Sequence, residues 1–184
     1  YIVSAPAESD PDYLPSVIAA SMYKDLLYNV VREHYGVCYT PGSYVTGGKA
    51  SLGVTSLYRM SDLKHFASHV REARDYLAQG KLIDSIDKNG KYELSSVEKH
   101  LQSYKNAQII ASYSSQATVQ DMGATIVYNL LAYNEPFHNS NFSSLIHDIS
   151  AKDVVDVFKK YWVDAPGKWF VATNEIDTDI VDFD

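Results

Sequence analysis

The sequence predicts an α+β fold: a two-layer sandwich with an antiparallel or mixed sheet and helices packed on one face. Three observations carry that prediction. Strand-like patterning stands near both ends of the 184-residue chain and again between positions 37 and 58. The stretches between carry apolar residues at spacings of three and four, the mark of helices that bury one stripe. No internal repeat and no low-complexity run competes with this reading.

Tyr1 to Ala5 alternates as a short strand and stops at Pro6 and the turn-forming ESDPD. From Tyr13 to Tyr35, Ile18, Met22, Leu26, Leu27, Val30 and Val31 mark a helix, with Pro15 in its first turn. Gly36 supplies the stop, because glycine takes the left-handed conformation that closes a helix. Val37 to Thr46 is strand-like, and its Pro41 and Gly42 suit an edge or a bulge. Gly47 and Gly48 then turn the chain into Ala50 to Tyr58, completing a hairpin.

Ser61 is expected to cap a helix whose apolar set, Leu63, Phe66, Val70, Ala73 and Leu77, runs to Gly80. Lys81 to Tyr92 contains the turn signature DKNG and receives no firmer assignment. Helices over Ser95 or Ser96 to about Ser112, and about Thr118 to Tyr133, follow; Asn134 and Pro136 stop the second. Ser150 with Asp153 forms a capping-box-like start for a helix over Ala151 to Trp162. Trp169 to Thr173 is expected as a closing strand, and the acidic EIDTDIVDFD as surface or interface.

Composition bounds the function. With 46% apolar and 21% charged residues the chain has the balance of a folded protein, and its length suits one domain over residues 1–184. The net charge of -7, with no basic stripe, argues against a nucleic-acid surface. No stretch approaches the 18 apolar residues a membrane span needs. The single cysteine, Cys38, forbids an internal disulfide and leaves the compartment open. Because the chain opens at Tyr1 on a strand, it is expected to be a domain of a longer gene product.

Most candidate chemistry falls away on inspection. His65 and His69 share a helix face, but HFASH has Ser68 where a zinc peptidase helix needs glutamate, so no metal role is assigned. His34 is the one near neighbour that could activate Cys38, and the turn at Gly36 separates them. What remains is V-R-E-H-Y-G-V-C-Y, residues 31–39. Arg32 lies in the last turn of the helix and Tyr39 just beyond the reversal. A sharp turn there can bring a guanidinium and a phenol together as convergent donors for a peptide carbonyl or carboxylate. The plain alternative is an arginine capping the helix and a tyrosine at the edge of the core.

That run resembles the L-R-E-K-x-G-x-x-Y signature of the C-terminal-type, non-zinc-binding domain of the pitrilysin (M16, insulinase-like) metallopeptidase family. YIVSAPAESDPDYLPSVIAASMYKDLL is similar to the family's opening strand and helix, and ISAKDVVDVFKKYW to its late helix, so nearly the whole chain is covered. SLYR at Ser56 to Arg59, followed by a helix ending in YLAQGK, favours the presequence-protease branch. His34 and Tyr35 depart from the basic pair common at those positions, which lowers the charge beside the site.

The resemblance implies a peptidase built as a chamber. A homologous N-terminal-type domain, in cis or in trans, would hold zinc; this chain would bind no cofactor and be inactive alone. Arg32 and Tyr39 would contact the substrate peptide's backbone. Two rivals stand beside this reading: a noncatalytic scaffold of the same fold, and a self-contained peptide-binding domain. A domain facing a partner is also expected to expose a contiguous apolar patch.

Overall fold

The computed structural model describes residues 1–114, 116–137 and 142–173, so the run EIDTDIVDFD lies outside the described residues. In chain order these form β1 (Ile2–Ser4), α1 (Tyr13–Leu27) with a π-helical extension (Tyr28–His34), β2 (Thr40–Val45), β3 (Leu52–Tyr58) and α2 (Phe66–Ala78). There follow β4 (Lys81–Ile86), β5 (Tyr92–Ser96), α3 (Val97–Ser114), α4 (Val119–Tyr133), α5 (Phe142–His147), α6 (Ala151–Phe158) with a second π-helical extension (Lys159–Val163), and β6 (Gly167–Lys168).

The expected α+β sandwich is present. Four strands form an antiparallel sheet in the order β2-β3-β1-β6, with Thr40 opposite Tyr58 and Ile2 opposite Val54. Period-two alternation sorts its faces: in β2, Pro41 and Ser43 are buried while Thr40 and Tyr44 are exposed. Pro41 has no N–H to give a ladder and sits where one is least missed, on the edge strand.

Helix α1 is the centre of the other layer. Ile18, Ala19, Ala20, Met22, Tyr23, Leu26 and Leu27 are all buried, and α1 packs against β2, α2 and α6. Tyr23 meets Phe158 edge-on at 5.1 Å, Phe158 stacks on Trp162 at 5.6 Å, and the Tyr23 hydroxyl donates to the Val70 carbonyl at 3.2 Å. Helix and sheet touch most closely at Gly53, where a Cβ would lie 2.8 Å from the Trp162 ring and 2.7 Å from Val3. The Ser150–Asp153 capping box starts α6 as expected.

Several local expectations need correction. Ser61 does not cap α2: Asp62 accepts the backbone N–H groups of Lys64 and His65 at 3.0 Å each in the turn ahead of it, and α2 starts at Phe66 with His65 at its cap position and no side-chain cap. The closing strand is Gly167–Lys168 and not Trp169–Thr173, because the Trp169 ring packs on Tyr1 and Phe66 at 4.8 and 5.0 Å. Residues 81–96 form a second hairpin, β4–β5, around the DKNG turn. There Asp87 accepts from the N–H groups of Asn89 and Lys91, and Gly90 takes φ +79°.

The α1 and α6 helices are each completed by π turns where unbroken helices were expected. Exposed apolar side chains gather on α4, among them Val119, Val127 and Leu131, and Asn129 is its buried residue.

Replacing Gly53 by Ala is expected to destabilise the fold by about 1–3 kcal/mol, the usual range for overpacking a filled interior. A lowered midpoint in urea unfolding checks this; an unchanged one would mean that the sheet shifts away from Trp162 at no cost.

Candidate functional site

The end of the first helix is shaped by one extra residue in its last turn. The Tyr35 N–H donates to the Val30 carbonyl, five residues back, at 3.1 Å. Gly36, at φ +65°, then gives its N–H to Arg32, and the Val37 N–H reaches Val31. The closure resembles a Schellman motif in which both hydrogen bonds span one residue more than usual. Val30 and Val31 stay fully buried while Arg32 emerges half-buried at the surface.

The chain re-enters the sheet with Tyr39. Its N–H donates to the Tyr58 carbonyl at 3.1 Å, and the Cys38 thiol points at the same carbonyl at 3.4 Å. Helix end and strand start are thereby fixed against one another. The Arg32 guanidinium lies 5.5 Å from the Tyr39 ring centroid and 4.7 Å from that of Tyr28. The two residues singled out from the sequence therefore do come together, with the Tyr39 ring 61% exposed and able to meet a ligand.

What holds Arg32 is weak enough to be exchanged. Its pairing with Glu33 at 3.4 Å is an exposed ion pair, worth about 0–1 kcal/mol, and each exposed cation–π contact adds roughly 0.5–1 kcal/mol. A peptide carbonyl or carboxylate offering directed hydrogen bonds can compete for that guanidinium.

Sequence reasoning missed a third member. The Arg59 guanidinium lies 5.6 Å from the Tyr39 ring centroid. Its backbone sits at φ +57°, in the left-handed region that costs a side-chain-bearing residue about 1–2 kcal/mol. Its place follows from the hairpin register, since continuing the Thr40–Tyr58 pairing by one sets Tyr39 opposite Arg59, a pairing that the sequence pattern alone does not fix.

The other candidates are accounted for structurally. Cys38 is buried, and burial pushes its thiol pKa up, away from nucleophilic use. His34 packs between Tyr35 and Tyr92, at 4.6 and 5.0 Å, rather than on Cys38. His65 pairs with Asp62 at 3.0 Å, and His69 stacks on Tyr35 at 3.7 Å, whose hydroxyl donates to Glu72. Among the described residues no three His, Cys, Asp or Glu side chains are placed to hold a metal ion.

The stack on Tyr35 gives the stability a pH dependence. Burial holds the His69 imidazole below its ordinary pKa of 6.5; Asp62 and Glu72 oppose this, and His65 and His34 reinforce it. The stability supplied by neutral His69 is complete above about pH 6.5 and is lost as the pH falls through that value toward the lower native pKa. Replacing His69 by Phe, which preserves a stacking ring, is expected to flatten the fall of the thermal midpoint below pH 6.5. An undiminished fall in the variant would remove His69 as its source.

The sequence matches no protein-family model and no curated protein. The fold, in contrast, is shared with solved structures. A protease from Helicobacter pylori superposes with a TM-score of 0.67 at 14% identity, covering 89% of this chain and 37% of that one. A chain of complex III2 from Candida albicans gives 0.64 at 13% identity, covering 87% and 39%. A peptidase M16 inactive domain from Pseudomonas fluorescens gives 0.57 at 19% identity, covering 87% and 36%. This chain thus has a fold found in M16 peptidases and spans little more than a third of the length of each of these three structures.

Proposed function

We propose that this chain is the substrate-holding, non-zinc-binding half of a zinc metalloendopeptidase of the pitrilysin (M16) family. The observation that carries the reading is the convergence of Arg32 and Tyr39 across the widened helix end, in a fold shared with peptidases of that class. In this reading the metal and the water-activating groups belong to a homologous partner domain, in the same polypeptide or on another subunit, and this chain alone is inactive.

The work of the present residues is to hold the peptide. Arg32 and the Tyr39 hydroxyl donate hydrogen bonds to substrate carbonyls, aligning the backbone and easing charge that develops on the scissile carbonyl. A preorganised donor of this kind is worth roughly 100-fold or more in turnover. The π turn and the Tyr39–Tyr58 hydrogen bond fix the two residues relative to one another.

A second reading is a noncatalytic scaffold of the same fold. The likeness to a chain of complex III2 and to a domain described as inactive favours it. The rival of a stand-alone peptide binder differs from both in needing no partner domain.

In the complete enzyme, Tyr39→Phe is expected to lower kcat about 100-fold while zinc content, measured by atomic emission, stays unchanged. A full rate in that variant sinks the assignment. Peptide hydrolysis that needs the zinc-bearing domain of the parent protein and is abolished by chelator supports the peptidase reading; a folded parent protein with no hydrolysis favours the scaffold.

A further inference from the structure

Beyond the Arg32–Tyr39 pair, a groove of 830 Å³ runs along the open face of the sheet to Arg59. Ile2, Val54, Tyr58, Phe66, Trp169 and Phe170 give it an apolar, aromatic wall, and Tyr58 and Phe170 are 63% and 73% exposed. Among the described residues Arg59 is the one charged side chain in its lining, and its guanidinium lies against the Tyr39 ring. Among the described residues no carboxylate pairs with Arg59, in a chain that carries 23 acidic against 16 basic residues. Arg59 is held in left-handed backbone at φ +57°, a strain of the kind that gathers at functional positions.

We propose that this groove binds a peptide whose apolar side chains lie along β3 and whose acidic side chain, glutamate or aspartate, pairs with Arg59. The inference rests on the reading of this chain as the substrate-holding half of a peptidase and adds a preference to it: substrates carrying a carboxylate next to apolar residues. An acidic side chain fits better than a chain terminus. Capture of a terminal carboxylate generally uses a cradle of backbone N–H groups, whereas among the described lining residues the charged donor is a single side-chain fork and none is glycine. The guanidinium presents parallel donors that match a carboxylate two to two.

The test is fluorescence anisotropy on the full 184-residue chain with two labelled peptides, both acetylated and amidated, Ala-Leu-Phe-Glu-Leu-Ala and its Gln counterpart. The Glu peptide is expected to bind about tenfold tighter, one charge-assisted contact's worth. Arg59→Gln removes the preference. Arg59→Gly removes it too while raising the thermal midpoint, because glycine relieves the left-handed strain; loss of preference in a more stable variant cannot be unfolding.

Equal binding of the two peptides, or a preference that survives Arg59→Gln, overturns the inference. So does binding that requires a free C-terminus, or peptide-insensitive self-association of the chain over this face. The underlying reading is scored separately: Arg32→Gln and Tyr39→Phe weaken both peptides alike if it holds, whatever the Glu to Gln ratio. Failure of either peptide to bind at millimolar concentration overturns the inference and leaves the underlying reading to the Tyr39→Phe turnover assay in the complete enzyme.

Discussion

The helix Tyr13–Leu27 and its π-helical extension carry the most continuous buried stripe of the core, and this burial dictates what surrounds them. Ile18, Met22, Tyr23, Leu26, Leu27, Val30 and Val31 are each at most 1% exposed, so sheet, α2 and α6 must all be built against one rod. A rod so constrained cannot rotate to suit its last turn. Val30 and Val31 must remain in the core while the chain exits toward the sheet. One additional residue in the turn resolves the conflict, and Gly36 in left-handed conformation completes it. Arg32 points where it does because the valines before it could not move.

How much of this could be read in advance follows from the physics of each element. Apolar spacings of three and four declared α1 and the body of α2, and the Ser150–Asp153 box fixed the start of α6 to the residue because its signal is local. Gly36 and Asn134 were legible as stops for the same reason, and both take positive φ. The π turns were not legible. Spacings of three and four continue through Val30 and Val31 in either geometry, and the choice is made by tertiary packing. Ser61 was misread because Asp62, one residue on, accepts two backbone N–H groups where a serine would take one. Trp169 was misplaced because its aromatic partners, Tyr1 and Phe66, are distant in sequence.

The candidate site divides along the same line. Arg32 and Tyr39 share a short segment, so their meeting was foreseeable from a helix, a reversal and a strand. Arg59 reaches the same ring from the far side of a hairpin and depends on register, which composition does not reveal. The result is a corner where three aromatic or cationic side chains are held by weak contacts on strong foundations: a helix with a deeply buried face beneath, and a ladder hydrogen bond from Tyr39 to Tyr58 beside. Rigid supports with exchangeable surface contacts suit the peptide-holding role proposed for this corner.

One feature of that corner gives the molecule a reporter. The chain's single thiol, Cys38, sits one residue before Tyr39, 4% exposed, and donates to the carbonyl that receives the Tyr39 N–H. An alkylating reagent in solution meets this sulfur only when the strand entry lifts from β3. Its labelling rate is then a clock for how often the corner opens, read at one atom without interference from any other cysteine.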